Sequence, residues 1–125
     1  MDSSCNFDEQ KRYIDFSAAM GWRSVLVDAL WDKQIGYEKM EELSRYAQSK
    51  GVGLFLWYNS NGAWNDAPQS PKDKMDKSPA RRREMAWMQK AGILVLSSVA
   101  ASVHYWVCKS GTTRRCIRSS SMDYR

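Results

Sequence analysis

Apolar residues recur along the chain in three units, each of which combines a helical pattern, a glycine and a short apolar strand. The units are residues 10–28 with Gly21, residues 41–59 with Gly51, and residues 80–98 with Gly92. A glycine at the end of a helix commonly adopts the left-handed conformation that ends it. Helices that alternate with apolar strands are typical of a parallel α/β sheet. The pattern therefore predicts about three parallel strands with alternating helices.

The helical segments show apolar residues at helical spacing. The expected helices are Asp8–Met20, with Tyr13, Phe16, Ala19 and Met20 on one face; Tyr37–Lys50, with Met40, Leu43, Tyr46 and Ala47; and a helix from Ser78-Pro79 to Lys90, with Met85, Trp87 and Met88. The expected strands are Val25–Val27, Val52–Tyr58 and one that opens with Ile93–Leu96.

Polar and aromatic side chains collect where the first two strands end, and parallel strands end at one edge of a sheet. Flat rings beside carboxylate and amide groups suit a sugar, because its C–H face packs on the ring while its hydroxyls need hydrogen-bond partners. The alternative is that Trp57 and Tyr58 belong to the core and that the asparagines serve turn geometry. The candidate substrate-binding residues are Asp28, Trp31, Trp57, Asn59, Asn61, Trp64 and Asn65.

Length, charge and cysteine content narrow the class of protein. The 125 residues suffice for one domain, and no apolar run approaches the ~20 residues that span a bilayer. Most of the net charge of +5 comes from the last quarter of the chain, so residues 99–125 are expected to form an irregular, solvated basic tail. We expect neither a nucleic-acid nor a membrane partner. The three cysteines include no CxxC pair, and we expect no metal site in this chain.

Several ordered motifs resemble the opening part of the catalytic domain of glycoside hydrolase family 97. These motifs are KRYIDF (11–16), MGW (20–22), VLVDALW (25–31), YAQSKGVGLFLW (46–57), WNDAP (64–68) and REMAWM (83–88). The likeness covers roughly residues 5–93. Several linked motifs in the same order are more specific than any one of them.

The resemblance implies a partial (β/α)8 TIM barrel over residues 1–98, with the candidate residues on its substrate-side rim. Members of the family are α-glucosidases and α-galactosidases, and the implied partner is an α-linked oligosaccharide or glycoside. The family also carries a calcium ion near the active site, whose ligands lie mostly further along and are not expected in this chain. The full-length family implies a periplasmic or secreted location.

The third strand departs from the family pattern. In the family this strand reads approximately Gly-Ile-Lys-Val-Asp-Phe, whereas this chain has Leu94-Val95-Leu96-Ser97-Ser98, and no acidic residue lies between Glu84 and Asp123. Because glycoside hydrolysis normally uses two carboxyl groups, we expect no activity from the chain as it stands, and its catalytic residues are unknown. The sequence after about Ile93 suggests a truncated or frame-shifted fragment.

Two further expectations follow from the residues. The alternative function is a small non-catalytic α/β carbohydrate-binding or interaction module, which would use the same aromatic and amide side chains without chemistry. The third strand would also leave an open sheet edge, and open edges are templates for association. We therefore expect self-association through that edge.

Overall fold

A computed structural model describes residues 5–59, 69–99 and 102–106, and from residue 95 onward it describes the backbone alone. The elements in chain order are α1 (Phe7–Ala19), β1 (Ser24–Val27), α2 (Trp31–Gln34), α3 (Tyr37–Ser49), β2 (Gly53–Tyr58), α4 (Ser78–Ala91), β3 (Leu94–Val99) and β4 (Ser102–Trp106). None of the helices in these ranges is long and apolar enough to cross a membrane.

The strands form one sheet in the order β1-β2-β3-β4. β1 pairs with β2 and β2 pairs with β3 in parallel, which agrees with the predicted three parallel strands and alternating helices. β4 then pairs with β3 in antiparallel orientation. Two expectations are corrected: residues 102–106 form a strand where an irregular tail was predicted, and this strand covers the edge of β3. Within the described sheet, the two edge strands are β1 and β4.

The predicted helix ends are confirmed by their glycines. Gly21, Gly51 and Gly92 have φ values of 72°, 73° and 70°, in the left-handed region that side chains with a Cβ rarely adopt. A Cβ at Gly92 would also lie 2.0 Å from Gln48 Nε2, so the exposed Gln48 side chain would have to move aside. Helix α4 begins at Ser78, as expected, and its N-cap residue Lys77 makes no capping hydrogen bond through its side chain.

The helices cover one face of the sheet, because consecutive right-handed crossovers place α3 and α4 on the same side. Strand β2 shows the consequence, since Leu54, Leu56 and Tyr58 are buried while the alternate residues are half-buried. The less covered face carries Phe55 and Trp57 on β2. Leu26, which pairs with Phe55, is 42% exposed.

Helix α1 does not bury the apolar face that its spacing suggests. It buries Gln10, Ile14 and Ser17 instead, and Ile14 joins the core formed with α3 and β1. The exposed large hydrophobic side chains of the described residues are Tyr13, Phe16, Met20, Trp22 and Leu26. All of them except Met20 line a groove of about 650 Å³ between α1 and β1. We call these five residues the α1/β1 patch.

Candidate functional site

The carboxyl ends of β1, β2 and β3 meet at one edge of the sheet, as predicted. Asp28 follows β1 at this edge, and its side chain is exposed. Its Oδ1 accepts a hydrogen bond of 2.7 Å from the backbone N–H of Ala29. This bond fixes one carboxylate oxygen at the strand end. The carboxylate therefore remains accessible to a ligand at the position that the sequence indicated.

Trp31 differs from the prediction, because its side chain is completely buried. Its ring stacks on Trp87 with a centroid distance of 5.9 Å. It also packs edge-to-face (T-shaped) with Tyr37 and Tyr58, at centroid distances of 5.2 and 5.5 Å. Its Nε1 donates a hydrogen bond of 2.9 Å to the backbone carbonyl of Trp57. A side chain with no exposed surface cannot contact a sugar, so Trp31 is a core residue that supports the edge.

The remaining candidates separate into three groups. Trp57 is half-buried at the end of β2, on the face opposite the helices. Asn59 is 4% exposed, which corrects its expected contact with substrate. Asn61, Trp64 and Asn65 lie outside the described residues. The structure thus leaves Asp28 and Trp57 as the accessible candidates at the described strand ends.

A feature not predicted from the sequence is the position of residues 69–71 between the two strand ends. The carbonyl of Ser70 accepts a hydrogen bond of 2.8 Å from the N–H of Leu30, and Ser70 Oγ donates to Asp32 Oδ1 across 2.6 Å. On the β2 side, the N–H of Asn59 donates to the carbonyl of Pro71 across 3.0 Å. Asn59 Nδ2 donates to the carbonyl of Gln69 across 3.3 Å. Local spacing gives no signal for contacts between residues ten to forty positions apart.

Glu84 on α4 forms a second unpredicted network on the helix side of the sheet. Glu84 is 8% exposed, and its carboxylate accepts hydrogen bonds from the hydroxyls of Tyr37 and Tyr58, while Lys74 Nζ lies 3.8 Å from Oε1. Burial, and then the charge of Glu84, raises the pKa of both tyrosines above their ordinary values. Neutral hydroxyls that donate to a buried carboxylate form a stabilising network.

Few acidic groups are available at the strand ends for hydrolytic chemistry. Asp32 is bonded to Ser70, and Glu84 lies beneath the tyrosines on the helix side. The register places Ser97 of β3 beside Tyr58. The described residues also contain no group of three His, Cys, Asp or Glu side chains that could hold a metal ion. An exposed carboxylate and a half-buried indole ring can bind a sugar, but they do not form a two-carboxylate centre.

A second groove lies at the amino ends of the strands, away from the carboxyl edge that carries the candidate residues. It has a volume of about 650 Å³ and lies near the amino ends of β2 and β3, between the last turns of α3 and α4. Arg45, Gln48 and Lys90 contribute to its lining. Ligands of parallel α/β sheets bind at the carboxyl ends of the strands, so we assign no function to this groove.

Comparison with known proteins gives two matches that agree with each other. The family model for glycoside hydrolase 97 matches residues 1–105, so the matched range continues past Ile93, where the likeness was expected to end. A crystal structure of a beta-arabinopyranosidase matches with a TM-score of 0.75 and 48% sequence identity. The match covers 77% of this chain and 15% of that structure's chain. No curated protein matches this chain.

Proposed function

Since the chain belongs to glycoside hydrolase family 97, we propose that it forms part of a domain that hydrolyses the O-glycosidic bond of α-glucosides or α-galactosides. The observation that carries the proposal is the family match together with Asp28 and Trp57 at the carboxyl edge of the sheet. In this role the Trp57 ring packs on the C–H face of a pyranose. The Asp28 carboxylate accepts hydrogen bonds from the sugar hydroxyls.

The proposed fold of the whole domain is a (β/α)8 TIM barrel, of which this chain supplies the first strands. The one-sided helical cover supports this proposal, because the inner face of a barrel is covered by the other strands rather than by helices. The α1/β1 patch supports it as well, since a further strand and helix beside β1 would bury those side chains. The chain itself spans about 15% of the solved relative, so activity belongs to the larger domain.

We further propose that this chain binds sugar without hydrolysing it. The support is β3, where Leu94-Val95-Leu96-Ser97-Ser98 contains no acidic residue although the resemblance implies a carboxylate in this strand. Serine cannot replace a carboxylate nucleophile or general acid in glycoside hydrolysis. Calcium, which the family implies, does not fit the described residues because they hold no group of three suitable side chains. No step proposed for this chain involves a metal.

The test combines sugar binding and hydrolysis on the full chain. Isothermal titration calorimetry with methyl α-glucopyranoside, methyl α-galactopyranoside and methyl arabinopyranoside measures binding, and the p-nitrophenyl glycosides measure hydrolysis. Arabinopyranoside is included because the solved relative is a beta-arabinopyranosidase. We expect saturable binding of at least one sugar and no release of p-nitrophenol. Release above the blank would contradict the proposed inactivity, and absence of binding to every sugar would contradict the proposed site.

Two substitutions locate the binding surface. Asp28→Ala and Trp57→Ala each remove one proposed contact, and we expect about tenfold weaker binding from each, the equivalent of one hydrogen bond or ring contact. Trp22→Ala is the matched control, because Trp22 is 54% exposed and precedes β1 at the other end of that strand. If Asp28→Ala and Trp57→Ala bind the sugar as tightly as the control Trp22→Ala does, the sugar does not bind at Asp28 and Trp57.

An edge available for self-association is that of β1, whereas β3 is an interior strand of the sheet. β4 pairs with β3, so the edge strands are β1 and β4, and β1 is the one next to the α1/β1 patch. Edge strands with adjacent exposed apolar side chains favour pairing between chains. We propose that copies of this chain associate through β1.

A further inference from the structure

Residues 69–71 connect the two strand ends that carry the accessible candidate residues. Asp28 lies two positions before Leu30, whose N–H donates to the carbonyl of Ser70. Trp57 lies two positions before Asn59, whose N–H donates to the carbonyl of Pro71. Adjacent carbonyls of one short segment therefore bind the chain just after Asp28 and just after Trp57.

The side chains around this segment reinforce the same connection. Ser70 is 6% exposed and donates its hydroxyl hydrogen to Asp32, while Asn59 is 4% exposed and donates to the carbonyl of Gln69. Buried polar groups that find partners hold a segment in one conformation, whereas losing one partner leaves a costly unsatisfied group. The segment is thus held from the β1 side and from the β2 side.

The rigid core below the edge fixes the two anchoring points relative to each other. Asp32 lies in α2 directly after Trp31, whose ring is fully buried and whose Nε1 donates to the carbonyl of Trp57. Movement of Asp32 would therefore disturb both the core ring and the end of β2. The buried Trp31 ring and the hydrogen-bonded residues 69–71 together define the separation of Asp28 and Trp57.

We propose that Asp32, Ser70 and Asn59 are positioning residues that set the separation between Asp28 and Trp57 for sugar binding. This inference rests on the proposed function, since it concerns the same edge. These three side chains do not contact the sugar. They hold residues 69–71 against both strand ends, so that the carboxylate and the ring present one fixed geometry to a pyranose and lose little freedom when it binds.

The experiment compares matched hydroxyl deletions at opposite ends of the fold. Ser70→Ala removes the bond to Asp32, and Asp32→Ala removes it from the other side. Ser44→Ala is the control, because Ser44 is 1% exposed and donates one hydrogen bond of 2.7 Å to the carbonyl of Ala91, near the amino end of β3. Asp32→Asn keeps an oxygen that accepts from Ser70. Calorimetry with methyl α-glucopyranoside, methyl α-galactopyranoside and methyl arabinopyranoside gives the affinity, and amide hydrogen exchange of Leu30 and Asn59 reports the position of residues 69–71.

We expect Ser70→Ala and Asp32→Ala to weaken sugar binding about tenfold and to accelerate exchange at Leu30, with Asp32→Asn within about twofold of the original chain. Ser44→Ala should lower stability without changing the affinity. If Ser70→Ala does not fold, Asp32→Ala gives the same comparison, because Asp32 is half-buried and lies at the surface end of the bond.

Three outcomes overturn the inference. Unchanged affinity in both alanine variants would show that residues 69–71 have a purely structural role while the proposed function stands. An equal loss of affinity in Ser44→Ala would show that general destabilisation is the cause. No sugar binding by the unsubstituted chain would overturn the proposed function together with this inference, and that outcome is recognised before any variant is measured.

Discussion

Replacing Tyr58 with phenylalanine removes a buried hydroxyl that donates to Glu84 Oε2 across 3.0 Å. The Tyr58 side chain has no exposed surface, so water cannot replace this donor without rearrangement of the core. Tyr37 and Lys74 remain near the Glu84 carboxylate. A hydrogen bond to a charged group contributes roughly 1.5–3 kcal/mol, and we expect Tyr58→Phe to lower the free energy of unfolding by about 2 kcal/mol. The ring itself is retained, so no cavity contributes to this loss.

The same substitution should change how stability depends on pH. Burial, and then the charge of Glu84, raises the pKa of Tyr58 in the folded protein above the ordinary value of about 10. Above that pH the unfolded chain loses the tyrosine proton while the folded chain retains it. The contribution of Tyr58 is therefore fully present below about pH 10. It is lost at about 1.4 kcal/mol per pH unit as the pH rises further toward the folded pKa.

Urea unfolding followed by tryptophan fluorescence, from about pH 8 to about pH 11, measures both effects. We expect a constant deficit of Tyr58→Phe at the lower pH values and a shrinking deficit above about pH 10, because the variant no longer has this titration. Tyr13→Phe is the control, since Tyr13 is 45% exposed on α1. Parallel pH curves for the original chain and Tyr58→Phe would refute the reasoning, and so would an equal effect of Tyr13→Phe.

Two further predictions concern the helix ends and the exposed patch. Gly21→Ala, with φ 72° and open space around the new Cβ, should lower the free energy of unfolding by about 1 kcal/mol. Gly92→Ala, with φ 70°, should lower it by about 2 kcal/mol, because the new Cβ also displaces the Gln48 amide from its hydrogen bonds to the carbonyls of Ala91 and Gly92. Urea midpoints test this pair, and equal costs would contradict the steric argument. Phe16→Ser, which removes a side chain 52% exposed in the α1/β1 patch, should shift the chain toward monomer without loss of stability. Light scattering coupled to gel filtration measures the molar mass of both chains. If Phe16→Ser forms the same oligomer as the original chain, the α1/β1 patch is not the surface of association.

Much of the fold follows from patterns within a few residues. The glycines at 21, 51 and 92 were expected to end helices, and each has the positive φ that this role requires. Helix α3 buries Met40, Leu43 and Ala47, as its spacing predicts. These features depend on backbone conformation and on neighbours three or four positions away, which the sequence displays directly.

The buried face of α1 was not available from spacing alone. The helix has apolar residues on more than one side, and Ile14 faces the core while Tyr13 and Phe16 remain exposed. Only the positions of α3 and β1 decide which side is covered. Periodicity locates apolar stripes, but it does not say which stripe has a partner.

The candidate site shows the same division. From the sequence alone, the strand ends, the exposed carboxylate of Asp28 and the relation to glycoside hydrolase family 97 could be inferred. The tertiary structure decided that Trp31 and Asn59 are buried and that residues 69–71 join the ends of β1 and β2. The reason is physical: a residue type and its position in an element are local properties, whereas burial and hydrogen-bond partners depend on segments brought together from distant parts of the chain.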